Sequence, residues 1–178
     1  MIVLFVLGPP GVGKTSAVRH LLEPNSVLVE NPKWTVGNKV VAAGHYKGHA
    51  FDGADTVPYN GVHDALMYWE NFFLDHKLTI LDGDRFSYPN AREFFLSRAE
   101  MVCAVLLRAD DDNLARRRHE RGSHQNQSYQ SWLKGRATKS ERFYNIFNVG
   151  RIINANHGVA SVVDDMKSFL KEKCNYVY

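Results

Sequence analysis

The sequence predicts a three-layer α/β domain built on a doubly wound, mainly parallel sheet of five strands. Apolar runs of strand length alternate with amphipathic stretches, as in folds where helices connect parallel strands. These runs are rich in Val, Ile and Leu, which is typical of strands buried on both faces. A chain of 178 residues, 44% hydrophobic and 23% charged, suits one globular domain, so we expect a single domain over 1–178.

The elements follow one another in regular order. The apolar runs predict strands at 2–7, 27–30, 78–81, 101–107 and 151–154, and a sixth run at 39–43 is either a short strand or part of a loop. Helical periodicity predicts helices at 14–22, 62–74, 90–99, 113–122, 138–147 and 159–171. Thr138 and Glu141 form a capping box, which predicts that the fifth helix starts at 138.

Composition excludes several classes of protein. The apolar run at 1–7 is too short to span a bilayer and has no basic flank, so we expect no membrane association and a cytoplasmic location. Cys103 and Cys174 are far apart in the sequence and form no metal-ligand pattern. They fit a reducing compartment, and a disulfide scaffold or a zinc module is excluded.

A phosphate-binding loop joins the first strand to the first helix. Residues 8–15 match the pattern G-x-x-x-x-G-K-[ST] and comprise Gly8, Pro9, Pro10, Gly11, Val12, Gly13, Lys14 and Thr15. The glycines let the backbone N–H groups turn toward phosphate, and the following helix adds its positive end. Lys14 can reach the β- and γ-phosphates, and the Thr15 hydroxyl can bind Mg²⁺. ATP and Mg²⁺ are therefore the predicted cofactors.

A second polar cluster ends the strand at 78–81. Asp82 stands where an acid can hold Mg²⁺, Asp84 can accept a proton from an acceptor hydroxyl, and Arg85 can bind phosphate. The roles of the two acids can also be exchanged, and a surface turn with a solvated arginine is the alternative for Asp84 and Arg85. Gly83 stands where ATP-driven motors usually carry a glutamate, so a motor is not favoured.

Positive charge is concentrated in one segment. The chain has a net charge of +3, yet 114–142 contains eight basic and two acidic side chains. The segment at about 114–138 is predicted to be a lid, with a mobile polar stretch at 123–131. Arg117 and Arg121 lie on one helical face, where they can stabilise the charge of a phosphoryl transition state. The alternative is an ordinary solvated helix face.

The order of these motifs resembles the nucleoside and nucleotide kinase branch of the P-loop fold. Asp84, Arg85 and Phe86 are similar to the Asp-Arg-aromatic element of thymidylate kinases. The resemblance implies phosphotransfer from ATP, with adenine against the loop at 154–157. Asn156 is the candidate adenine contact on that ground.

The acceptor region combines aromatic, acidic and basic residues. We expect the aromatic ones to stack on a base, the acids to bond hydroxyls or a base edge, and the cations to contact phosphates. The candidates are Tyr46, Phe51, Asp52, Asp55, Tyr59, Trp132, Lys134 and Arg136. An ordinary hairpin, followed by a basic helix that packs on the lid, is the alternative interpretation.

Together these features predict an ATP-dependent phosphotransferase that acts on a hydroxyl of a nucleotide-type acceptor. The favoured acceptor is 5-hydroxymethyluracil in DNA, because the chain resembles small phage-type kinases of that base. A free nucleoside monophosphate, as in thymidylate kinases, is the first alternative. A non-catalytic nucleotide- or DNA-binding module is the second.

Overall fold

A computed structural model describes residues 1–49, 52–120, 122 and 127–177, with only the backbone given for Gln127. The strands are β1 (Ile2–Leu7), β2 (Val27–Val29), β3 (Trp34–Val36), β4 (Val40–Ala43), β5 (Leu78–Asp82), β6 (Met101–Arg108) and β7 (Gly150–Asn154). They form one sheet in the order β2-β3-β4-β5-β1-β6-β7. Strands β4, β5, β1, β6 and β7 are parallel, whereas β2, β3 and β4 form an antiparallel meander.

Helices cover both faces of the sheet, which confirms the predicted α/β class. They are α1 (Lys14–Leu21), α2 (Val62–Phe72), α3 (Pro89–Leu96), α4 (Asp111–Glu120), α5 (Gln127–Tyr144) and α6 (Val159–Cys174). One apolar core lies under α1 and α6, and the other lies under α2, α3 and α5. Strand β1 is buried along its whole length between β5 and β6. The residues that follow β1 and β5 therefore lie next to each other at the carboxyl ends of these two central strands.

The sheet has seven strands among the described residues rather than the predicted five. The run at 39–43 contains β4, which extends the parallel part of the sheet beside β5. The run at 27–30 contains β2, which is an antiparallel edge strand. Val27 and Leu28 are exposed there, because an edge strand lies outside the two cores. Strand β3 has only three residues and was not predicted.

Helix α5 is the largest departure from the predicted elements. The capping box at Thr138 was wrong, since the helix begins at Gln127 and passes through that residue. Residues 127–131, predicted to be part of a mobile stretch, are helical. Leu133, Ser140 and Phe143 form its buried side, and this long amphipathic spacing was missed because polar residues dominate the segment.

Folding brings the two cysteines together although 71 residues separate them. The Sγ atoms of Cys103 and Cys174 lie 3.8 Å apart, and both thiols are free. No helix in the described ranges is long and apolar enough to cross a membrane. The same described ranges contain no group of three His, Cys, Asp or Glu side chains that could hold a metal ion.

Candidate active site

The phosphate-binding loop lies between β1 and α1, as its motif requires. Gly8, Gly11 and Gly13 have φ angles of 140°, 86° and 101°, which residues with a side chain rarely adopt. A Cβ atom on Gly8 would lie 2.6 Å from the carbonyl oxygen of Leu107 in β6. Glycine at the start of the loop therefore allows the backbone to turn tightly against the sheet.

The Lys14 amine is held over this loop. Its Nζ donates hydrogen bonds to the carbonyl oxygens of Gly8 at 2.8 Å and Pro9 at 3.1 Å. The Ser140 hydroxyl of α5 also donates to the Gly8 carbonyl at 3.3 Å. Helix α5 thus contacts the phosphate-binding loop directly, a contact that the sequence did not reveal.

Asp82 is buried in the site and accepts three hydrogen bonds. Its Oδ2 accepts a hydrogen bond from the Thr15 hydroxyl at 2.8 Å. Its Oδ1 accepts bonds from the Tyr46 hydroxyl at 2.9 Å and the Ala54 N–H at 2.8 Å. Burial raises the pKa of this carboxyl, while its three hydrogen bonds and the nearby Lys14 charge lower it in opposition. A hydroxyl beside a carboxylate is a donor set that suits Mg²⁺, so Thr15 and Asp82 fit that ion.

A loop packs tightly against this pair. Gly53 has a φ angle of 73°, and a Cβ atom there would lie 2.9 Å from Asp82 Oδ2. The contact requires a residue without a side chain, and it places the Ala54 N–H against the carboxylate. Nothing in the local sequence signals this approach, because it joins segments about 30 residues apart.

A cavity of about 380 Å³ opens beside the loop, and we call it the central cavity. Of the predicted site residues, it brings together Pro10, Gly11, Gly13, Lys14, Thr15, Asp55, Tyr59, Asp82, Asp84, Arg85, Trp132 and Arg136. Residues of the phosphate-binding loop and of β5 line one side. Residues of α5 and of the segment at 55–59 line the other. Motifs that are distant in sequence therefore share one concave surface.

Asp84 is enclosed by two cations of α5. Its carboxylate forms an ion pair with Arg136, and the Lys139 Nζ lies 3.7 Å from the same oxygen. Lys139 also donates to the Asp84 carbonyl oxygen at 3.3 Å. Burial and the Arg136 charge lower the pKa of Lys139. Two positive charges thus face the group predicted to accept a proton.

Arg85 has a different arrangement. Its guanidinium lies 3.6 Å from the centre of the Tyr59 ring, and its Nε lies 3.8 Å from the Asp55 carboxylate. Within the described part of the chain, Nε and Nη1 have no hydrogen-bond acceptor. Its Nη2 donates to the Asp55 carbonyl oxygen at 3.5 Å. A half-buried guanidinium with two N–H groups that lack an acceptor favours an anionic ligand in the cavity.

Two aromatic rings line the α5 side of the cavity. Tyr59 is 62% exposed and Trp132 is 44% exposed, so each offers a face to a ligand. Arg136 donates to the Tyr59 hydroxyl at 3.3 Å, and this hydrogen bond lowers the pKa of Tyr59. The Trp132 ring stacks on Tyr129, with 5.4 Å between their centres.

Three predicted acceptor contacts are not among the lining residues of the central cavity. Tyr46 is buried with its hydroxyl on Asp82, so the stacking role was wrong and the ring orients the acid instead. Asp52 is buried against the N–H groups of Lys47 and Gly48, where it also binds Arg19.

Lys134 is the third of these contacts. It lies at a separate cavity of about 310 Å³, because it faces another side of α5 than Arg136 does. Phe51 and Arg121 lie outside the described residues, so the roles predicted for them stay predictions.

Arg117 and Asn156 hold the neighbouring loops. Arg117 donates to the carbonyl oxygens of Val12 at 3.2 Å and Ala155 at 2.7 Å. Asn156 Oδ1 accepts bonds from the Asp110 N–H and the Asn113 amide. These contacts join the phosphate-binding loop to the ends of β6 and β7. The transition-state role of Arg117 and the adenine contact of Asn156 stay predictions.

Solved structures share this architecture. The chain is similar to a gluconokinase from Sinorhizobium meliloti 1021, with a TM-score of 0.56, 15% identity, and coverage of 94% of this chain and 90% of the other. It is also similar to a shikimate kinase from Bacteroides thetaiotaomicron, with a TM-score of 0.54, 16% identity, and coverage of 96% and 98%. Another similar structure is an uncharacterized protein from Eubacterium ventriosum ATCC 27560, with a TM-score of 0.54, 14% identity, and coverage of 97% and 100%.

These likenesses show that the chain shares its α/β fold with two proteins named as kinases. No protein-family model matches the sequence, and no curated protein matches it. The coarse resemblance drawn from the motifs is confirmed at the level of fold. The similar structures do not support the branch of hydroxymethyluracil or thymidylate kinases in particular.

Proposed function

We propose that this protein is a P-loop kinase that transfers the γ-phosphate of ATP to an acceptor hydroxyl in the presence of Mg²⁺. The observation that carries the proposal is the 2.8 Å contact between Thr15 and Asp82, beside Lys14 in the central cavity. The same cavity contains Asp84 and Arg85, which simple nucleotide binding does not require. The fold shared with two named kinases supports the same class of reaction.

Each residue of the cavity has a role in this proposal. The N–H groups of the phosphate-binding loop and Lys14 would bind and orient the phosphates of ATP. Thr15 and Asp82 would hold Mg²⁺, which when bound neutralises charge on those phosphates. Asp84 would accept the proton of the acceptor hydroxyl, and Arg85 would bind an anionic group of the acceptor. All of them line the same cavity, which suits transfer between two molecules bound there.

The acceptor that we propose is a nucleotide unit, with 5-hydroxymethyluracil in DNA as the specific candidate. Exposed Tyr59 and Trp132 suit a base, and Arg85 and Arg136 suit a phosphate at the same cavity. A free nucleoside monophosphate satisfies the same chemistry and is the alternative acceptor. Two similar structures carry the names gluconokinase and shikimate kinase, so gluconate and shikimate belong among the compounds to be tested.

The experiment offers radiolabelled ATP with a panel of acceptors in parallel. The panel contains hydroxymethyluracil DNA, ordinary DNA, each nucleoside monophosphate, gluconate and shikimate. We expect label in the modified DNA, and at least about 100-fold less of it with Lys14→Ala. Label confined to a free monophosphate or to a small acid would replace the proposed acceptor but keep the kinase. Absence of label from the whole panel, with ATP binding intact, would favour the non-catalytic module.

A further inference from the structure

A second concave surface lies next to the acceptor side of the central cavity. It is a groove of about 540 Å³ between the start of α3 and the second half of α5, and we call it the α3–α5 groove. Its lining residues are Ser87, Tyr88, Pro89, Gly135, Thr138, Lys139, Arg142, Phe143 and Ile146. None of them belongs to the phosphate-binding loop. The groove therefore has no contact with the part of the site that would bind ATP.

Lys139 connects the groove to the central cavity. Its side chain lines the groove, while its Nζ reaches the carbonyl oxygen and the carboxylate of Asp84. Asp84 in turn lines the central cavity. A ligand whose reacting hydroxyl lies at Asp84 can thus extend past Lys139 into the groove. Lys139 and Asp84 thus mark where the two surfaces are neighbours on the acceptor side.

The chemistry of the groove is amphiphilic. Tyr88, Phe143 and Ile146 supply an apolar floor, and Ile146 is 40% exposed. Lys139 and Arg142 are the charged lining residues, and none of the nine described lining residues carries a carboxylate. An apolar floor suits a base, while two cations suit a phosphodiester. A single small acid bound at Arg85 would use neither feature.

We propose, on the basis of the proposed function, that the α3–α5 groove binds the neighbouring nucleotide of a nucleic-acid acceptor strand. Its base lies against Tyr88 and Ile146, and its phosphodiester contacts Lys139 and Arg142. The groove thereby selects a polymeric acceptor over a free monophosphate. The cations that would contact the strand here differ from those expected from the sequence, because Arg142 lines this groove and Lys134 does not.

Binding measurements test the groove independently of phosphotransfer. Fluorescence anisotropy would follow a labelled oligothymidylate of about eight residues, which matches common single-strand site sizes, in the presence of Mg-ADP. Mono-, di- and tetranucleotides would compete with it. We expect the dinucleotide to compete roughly tenfold better than the mononucleotide. Stacking of one further base on an aromatic ring raises the affinity by about tenfold or more. Arg142→Gln should weaken strand binding and lower its salt dependence by about 0.7 in the logarithmic slope.

Lys171→Gln is the matched control, because it removes one positive charge from α6 on the opposite face of the sheet. It should leave strand affinity unchanged. Equal losses of strand affinity in Arg142→Gln and Lys171→Gln would overturn the proposed role of the groove. Equal competition by mono- and dinucleotides would do the same. Transfer to a free monophosphate with no preference for strands would also overturn it while leaving the kinase intact. Length-dependent binding without any transfer would keep the groove and refute the proposed reaction.

Discussion

The two sides of the central cavity are built differently. On the donor side, Asp82 is buried and its hydrogen bonds come from Thr15, Tyr46 and a backbone N–H. On the acceptor side, Asp84 and its partner Arg136 are partly exposed and are joined by an ion pair. The donor side is thus fixed by the sheet and its loops. The acceptor side depends on side chains of α5, which can rearrange at lower cost.

This difference has a consequence for how an acceptor would enter. Arg136 and Lys139 already occupy the carboxylate of Asp84. An acceptor hydroxyl must share or displace these contacts before Asp84 can take its proton. We therefore expect the donor side to bind its ligand without rearrangement, and the acceptor side to change on binding.

The largest expected effect lies on the donor side. Lys14→Ala should reduce phosphotransfer at least about 100-fold, because a preorganised charge at the phosphates is lost. Its amine donates to two carbonyl oxygens of its own loop, and no element of the core depends on these bonds, so the thermal midpoint should change little. Single-turnover transfer and thermal unfolding measure the two outcomes, with Lys171→Ala as the control. Full activity in Lys14→Ala would mean that the loop does not serve catalysis.

Asp82→Asn should separate activity from stability. Phosphotransfer should fall about 100-fold, as for Lys14→Ala, because a metal ligand is lost. Asparagine can still accept from Ala54 N–H and Tyr46, and its amide can donate to Thr15. Burial raises the pKa of Asp82, so its ionisation costs stability as pH rises from about 4 through that raised pKa.

The stability gain of Asp82→Asn should accordingly be absent at low pH and largest at neutral pH. Urea unfolding of both proteins between about pH 3.5 and 7.5, in a chelating buffer, measures it. A variant that is less stable than the parent at neutral pH would show that the hydrogen bonds to the carboxylate outweigh its burial.

Arg117 tests how firmly α4 is attached to the donor side. Arg117→Gln removes two hydrogen bonds from a charged donor to the carbonyls of Val12 and Ala155, and should cost about 2 kcal/mol of unfolding free energy. Arg116→Gln is the control, because that side chain is 64% exposed and pairs with Glu120. If the two variants are equally stable, Arg117 does not anchor α4. Loss of kcat without loss of stability would instead support its predicted transition-state role.

Gly135→Ala should give the smallest effect, and a favourable one. Gly135 lies inside α5, and a Cβ atom there would meet nothing within 4 Å. Alanine in a helix interior is more stable than glycine by about 0.5–1 kcal/mol. Urea unfolding detects the gain. A loss of stability would indicate that the helix is distorted at this position. On the donor side the opposite result is expected, because Gly53→Ala would place a Cβ atom 2.9 Å from Asp82 Oδ2 and strain the site.

The sequence predicted the donor side because its signals are local. The phosphate-binding loop is contiguous, and Asp82 follows a strongly apolar strand, so both could be placed from short segments. Strand β1 then brings them together, since Val6 and Asp82 are paired across neighbouring strands. The α/β class followed from the same alternation of apolar and amphipathic segments.

The acceptor side was predicted less well, because its contacts join distant segments. Arg136 meets Asp84 across 52 residues, and Tyr46 meets Asp82 across 36. Aromatic type alone could not distinguish Tyr46, which is buried, from Tyr59, which is exposed. The start of α5 was missed because few apolar residues mark it, and the direction of Lys134 depended on that helix.

The difference between the two sides is tested most directly by calorimetric titration of ATP, with and without Mg²⁺, into Asp82→Asn and Asp84→Asn. We expect Asp82→Asn to lose most of the Mg²⁺-dependent gain in ATP affinity. Asp84→Asn should bind ATP like the parent protein and keep the Mg²⁺ dependence, although its transfer rate falls roughly 100-fold or more. Loss of the Mg²⁺ dependence in Asp84→Asn, or its retention in Asp82→Asn, would contradict the division into a donor side and an acceptor side.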